Sequence, residues 1–191
     1  MFTQVAGILA GVTALIDFIA YDVSILRGKT RPNRATWFIL TVVGILITAS
    51  YYSVGARDTL WMPIGYTVGP FIAFLLSIKY GEGGWTTFDK VCLFTAMISV
   101  IFWYLSGSAL IALLINIFID FLGMLPTIKK SYLDPNSEEL HPWVITFIAG
   151  ILNLLAISTF NFDIIIYPIY MFLVNGVVVF FLFRYYLKKR A

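Results

Sequence analysis

Between Val5 and Tyr185 the chain is a succession of apolar runs of about 20 residues, separated by short polar loops. Nothing else in the sequence constrains the fold as tightly, because a helix needs roughly 20 mostly apolar residues to cross a ~30 Å hydrocarbon core. Seven runs qualify: 5–26, 35–54, 60–79, 89–106, 109–128, 142–161 and 164–185. The fourth is the shortest, with an uncharged stretch of 15 residues from Val91 to Leu105. Strands of a membrane barrel would alternate polar and apolar over about ten residues, and these runs do not. Composition agrees, at 60% hydrophobic and 12% charged with a mean hydropathy of +0.91. Soluble domains sit nearer ~45–50% and ~25%. The expectation is an all-α integral membrane protein with seven transmembrane helices, its partner the lipid bilayer.

Loop charge predicts orientation, because Lys and Arg are retained on the cytoplasmic side. The first loop carries Arg27, Lys29, Arg31 and Arg34, the third is flanked by Lys79 and Lys90, and the fifth carries Lys129 and Lys130. With Arg184, Lys188, Lys189 and Arg190 in the tail, 12 of the 13 basic residues fall on one side and only Arg57 on the other. This predicts the N-terminus outside and the C-terminus inside. Without the short fourth helix every later loop would change sides and the asymmetry would vanish. The first run lacks a basic region before it, so it is expected to stay as a helix rather than serve as a cleaved signal.

Part of the chain occurs twice. "DFIAYDVSILRGKTRPN" (17–33) aligns with "DFLGMLPTIKKSYLDPN" (120–136), both beginning Asp-Phe and ending Pro-Asn. After a three-residue insertion "WFILTVVGIL" (37–46) aligns with "WVITFIAGIL" (143–152), and ten of 31 aligned positions are identical. "MPIGY" (62–66) and "YPIYM" (167–171) open the third helix of each copy. Three is odd, so the intervening fourth helix makes the copies parallel. The expected organisation is a first three-helix repeat (1–80), a linker helix (81–107) and a second three-helix repeat with a basic tail (108–191). Parallel repeats are a transporter plan that places solute near the midplane of the repeat interface.

In this architecture, in topology and in one local motif the chain resembles the SWEET and PQ-loop superfamily. "LPTIKKSY" (125–132) is similar to the PQ-loop signature, with Thr127 where glutamine is usual and Val23 in place of the first repeat's proline. The resemblance implies a solute-facing asparagine in the third helix of a repeat, and Asn175 stands at such a position, with Gly69 in the first copy. The family's pocket tryptophan corresponds to Asn153 and Ile47, a departure from its sugar-stacking arrangement.

The polar residues inside the runs carry the functional argument. Asp17 and Asp120 occupy equivalent positions near mid-helix. Each aspartate at that depth costs roughly 2.5–3.5 kcal/mol, or about 5–7 kcal/mol for two, against a typical domain stability of ~5–15 kcal/mol. Such residues normally face a cavity or a partner. Thr13 and Asn116 lie four residues before them, on the same helix faces. With Asn153 and Asn175 they form a candidate substrate-binding ring at one depth. The bland alternative is interhelical hydrogen bonding that glues the bundle. Carboxyl groups there could also carry protons, or hold a cationic solute when ionised. Asp22, beside the basic loop, is expected in a surface ion pair. Pro126 is the hinge candidate, because proline frees a helix carbonyl and permits bending. Trp61, Trp85, Trp103 and the tyrosines at 51, 52, 80, 185 and 186 are expected as interfacial anchors.

Other functions are excluded or ranked lower. Cys92 is the single cysteine and His141 the single histidine, so no disulfide, metal site or histidine triad is expected. No hydrolase, metalloprotease or phosphate-loop motif occurs, so neither enzyme activity nor a cofactor is expected. The net charge of +3 reflects topology and does not point to nucleic acid. The last run (164–183) holds no lysine for a retinal Schiff base. The leading expectation is a transporter of a small polar solute (amino acid, amine or sugar-like) working by alternating access, with a prokaryotic plasma membrane as the expected location. A membrane receptor for a small ligand or peptide, and a non-transporting structural protein, rank behind it.

Overall fold

The computed structural model describes residues 1–190, with side chains for 1–136 and 138–187. The side chains of the basic tail at Lys188, Lys189 and Arg190 lie outside the described residues. Seven helices carry the chain: α1 (Phe2–Leu26), α2 (Arg34–Ser53), α3 (Trp61–Tyr80), α4 (Thr87–Ser106), α5 (Ala109–Leu133), α6 (Leu140–Leu155) and α7 (Phe162–Arg190). No strand element occurs among the described residues. Six helices are long and apolar enough to cross a membrane, and α6 is a shorter apolar helix. Their outer faces are hydrophobic: Phe94, Met97, Ile101 and Leu105 stand exposed along one side of α4. In water such a stripe would be a large uncovered apolar patch, and a bilayer is the solvent that suits it.

Local chemistry sets the helix ends, and those of α4, α5 and α6 differ from expectation. The uncharged core of α4 looked short because Asp89 and Lys90 precede it. Thr86 and Asp89 instead form a capping box, with the Asp89 carboxylate accepting from the Thr86 N–H (2.8 Å) and hydroxyl (2.7 Å). A buried acid at the first turn thereby starts the helix early, and Gly107, at φ +65°, ends it. The sixth run was expected to extend to 161, but α6 stops at Leu155 after 16 residues. At 1.5 Å per residue it spans about 24 Å. The segment that follows, "STFNF", is rich in side chains that compete for backbone hydrogen bonds. α5 is longer than expected, running unbroken through Pro126 to Leu133.

Packing has a regular pattern. α3 lies against both α1 and α2, and α7 against both α5 and α6. Across the middle, α1 packs on α6 and α2 on α5, while α4 leans on α5 and α2 from outside. Glycines allow the close approaches. A Cβ on Gly44 would lie 3.0 Å from Thr67 Oγ1 on α3, and one on Gly150 would lie 3.3 Å from the Phe172 Cα on α7.

The two Pro-Asn segments each tie a loop to a later helix, the first to α3 and the second to α7. Asn33 caps α2 by accepting from the Thr36 N–H (3.1 Å) and pairs through its backbone with Glu82. Arg34 donates to the carbonyls of Ser77 (2.9 Å) and Gly81 (2.7 Å) at the end of α3. Asn136 accepts from the Tyr185 hydroxyl (2.6 Å) on α7.

Two smaller expectations fail. Asp22 makes no ion pair, and its Oδ1 is buried without a hydrogen-bond partner. Ion pairs form instead at Arg31–Glu82 (3.7 Å) and Lys130–Glu138 (3.0 Å). Arg31 and Arg34 of the basic loop reach to the end of α3, and Asp22 is partly buried. Tyr51 is no interfacial anchor. It is fully buried, donates to the Ile164 carbonyl (2.5 Å), lies 2.8 Å from the Thr59 hydroxyl and packs on Tyr167. It links α2 to the start of α7 at the end of the bundle that carries Arg57.

Candidate functional site

A cavity of about 250 Å³ opens among all the helices except α4. α1 contributes Asp17 and Phe18, α2 contributes Trp37 and Leu40, and α3 contributes Tyr66 and Pro70. From the other side come Asp120 on α5, Trp143 and Thr146 on α6, and Met171 and Asn175 on α7. At roughly 30 Å³ per water the space holds about eight water-sized groups.

The two aspartates share this cavity but not their surroundings. Asp120 accepts a hydrogen bond from the Tyr170 hydroxyl at 2.5 Å. Asp17 has a 3.5 Å contact from the Thr146 hydroxyl, and that hydroxyl also lies 3.1 Å from the Pro142 carbonyl of its own helix. A hydroxyl has one proton to give, and the shorter contact takes it, so Asp17 is only weakly served. The Tyr66 hydroxyl is buried with the Thr146 side chain near it, but no hydrogen bond of good geometry reaches it.

Both tryptophans give the cavity ring carbon. The Trp37 indole N–H donates to the Tyr21 oxygen (3.2 Å) and the Trp143 N–H to Glu138 (3.3 Å). Phe18 sits edge-on to Trp37 (centroids 6.2 Å apart) and to Tyr66 (5.6 Å), making a cluster of three rings beside Asp17. Among the described residues no Lys, Arg or His lines the cavity.

The residues expected from the sequence divide into two groups. Asp17, Asp120 and Asn175 line the cavity; Thr13, Asn116 and Asn153 do not. Asn175 is buried and donates to the Met171 carbonyl one turn back (2.7 Å). Asn116 points to α4, donating to Ser99 Oγ and to the Ala112 carbonyl, both at 2.8 Å. Asn153 is fully buried, and neither of its side-chain polar atoms has a partner. Pro126 lies outside the cavity lining, within α5.

A second space of about 310 Å³ lies between α2, α4 and α5, bounded by Thr36, Asp89 and Thr127 toward the basic end. Leu40, Asp120 and Met124 line both spaces. Asp120 therefore sits in the partition between them.

Sequence reasoning missed Tyr66, Tyr170, Thr146 and the two tryptophans as site residues. Trp37 and Trp143 were visible as repeat markers, and their recurrence was the signal available. The tyrosines lie in "MPIGY" and "YPIYM", segments that the sequence marks only as the openings of two helices. No protein-family model, curated protein or solved structure matches this chain.

Proposed function

We propose that the chain is a membrane transporter that moves a small polar solute by alternating access, with the cavity as its binding site. One observation carries the reading: equivalent positions of the two matching sequence stretches line a single cavity. Asp17 and Asp120 pair in this way, as do Trp37 with Trp143 and Leu40 with Thr146. A site built from both halves can open to either side when the halves rock, which is how parallel-repeat transporters work.

Several features support the finer architecture of seven crossings as three helices, a linker and three helices. In both halves the third helix lies between the other two, and the cross-contacts exchange under a two-fold: α1 with α6, α2 with α5. Gly44 against Thr67 and Gly150 against Phe172 are matching contacts. The shorter α6 can be accommodated by local bilayer thinning at modest cost. This plan is the one expected of a SWEET and PQ-loop relative. The basic-loop asymmetry supports an outside N-terminus and a cytoplasmic C-terminus, and a prokaryotic plasma membrane fits that arrangement. Proton coupling through Asp17 and Asp120 belongs to the same proposal, since a carboxyl group in the wall can carry a proton through the cycle.

The test is uptake by reconstituted liposomes of a panel of sugars, amino acids and amines, with and without a pH gradient. The wild type is compared with the combined Asp17→Asn, Asp120→Asn variant. The proposal expects uptake of at least one solute class by the wild type and its loss in the variant. Dependence on the gradient would add proton coupling. No uptake of any class by a folded wild type would return the protein to the receptor or structural reading.

A further inference from the structure

We propose that the solute is a small organic monocation, an amine or quaternary ammonium ion, anchored by Asp17 and walled by Phe18, Trp37, Tyr66 and Trp143. This rests on the cavity being the solute site and deepens the transport reading.

Charge comes first. The cavity holds two carboxyl groups and, among the described residues, no basic side chain. An anion would meet only like charge there. Asp120 is already engaged by Tyr170 at 2.5 Å, whereas Asp17 has only the shared, 3.5 Å contact of Thr146. Asp17 is therefore the acid left to take a ligand. The buried Tyr66 hydroxyl has only the Thr146 hydroxyl near it, which is shared with Asp17 and the Pro142 carbonyl, and no hydrogen bond of good geometry. A water, an ion or a ligand can complete a buried polar group left in that state.

The walls discriminate further. A sugar needs many hydrogen-bond partners, and this lining offers few. The Asn175 amide is committed to the Met171 carbonyl, and both indole N–H groups are drawn out of the cavity by Tyr21 and Glu138. What the tryptophans present is ring surface. Aromatic faces with a nearby carboxylate are the recognition chemistry of ammonium ions, because the ring quadrupole attracts a cation that its bulk can also desolvate. Phe18, Trp37 and Tyr66 already form one edge-to-face cluster next to Asp17. The ~250 Å³ volume suits a molecule of choline's size.

The experiment uses matched cation and neutral twins: choline against 3,3-dimethyl-1-butanol, and guanidinium against urea. Binding to the full-length protein in nanodiscs is followed by calorimetry and tryptophan fluorescence. The expected result is at least tenfold tighter binding of the cation in one or both pairs. Asp17→Asn is expected to abolish that preference and Trp37→Leu to weaken it. Should Asp17→Asn fail to fold, the wild-type twin comparison decides alone. Equal binding of the twins, or no binding of either cation, overturns the proposal. Glucose uptake without cation binding would overturn it and leave the transporter standing. Cation binding without uptake would uphold it and remove the transporter.

Discussion

Asp17 and Asp120 hold the same register in two copies of one sequence unit, yet the molecule treats them differently. Asp120 is held by a short bond from Tyr170 and sits in the partition between two cavities. Asp17 stands beside a cluster of aromatic rings with only a weak contact from Thr146. The difference arises in the partner helices. Tyr170 aligns with Gly65 of the first copy, so the first half has no counterpart to the phenol that secures Asp120. The two acids hold matching places in the sequence, but the helices packed beside them differ. On the proposed reading Asp17 would anchor the ligand, while Asp120 sits at the boundary between the two spaces.

The sharpest way to break this contrast is to neutralise each acid alone. Asp17→Asn is expected to weaken solute binding tenfold or more, about 1.4 kcal/mol. Asp120→Asn should leave affinity within threefold while slowing uptake. Equilibrium binding measured beside initial uptake rates separates the two, and equal losses of affinity would make the acids interchangeable. Next in size is Gly150→Leu, which forces a side chain against the Phe172 backbone on α7. Overpacking of this kind costs about 1–3 kcal/mol, read as a drop in thermal stability, and Gly44→Leu should match it if the halves pack alike. Tyr170→Phe removes one hydrogen bond within the membrane-spanning bundle, worth about 0.6–1.7 kcal/mol. It should also make Asp120 reactive toward a carbodiimide that the wild-type residue resists. Smallest is Asn116→Ala, which loses the bond to Ser99, about 0.6 kcal/mol on average for such contacts, with solute binding unchanged.

The sequence made much of this legible, and its failures have physical causes. The helices were readable because crossing a bilayer demands length and apolarity. Of the six polar residues expected in one ring, Asp17, Asp120 and Asn175 share a cavity. Direction was harder. Asn116 lies one turn from Asp120 on the same face, but by that level the neighbour is α4, so it meets Ser99 instead. A helix that crosses its partners changes company along its length, and spacing alone does not report this. The early end of α6 was hidden because the apolar run continues through Ala156 and Ile157 after the helix has stopped at Leu155. Tyr66 and Tyr170 were missed because a tyrosine in an apolar run looks like packing until its hydroxyl is located.

The central claim is that one cavity, made by both halves, is reached alternately from the two sides of the membrane. The most direct measurement places a single cysteine at Met171, a cavity-wall residue, in a Cys92→Ser background. Its labelling by a membrane-impermeant thiol reagent is then followed from each face of oriented vesicles. The account predicts labelling from both faces, with the two rates moving in opposite directions when a bound solute shifts the equilibrium. Labelling from one face only, or from neither, in a folded protein would contradict it.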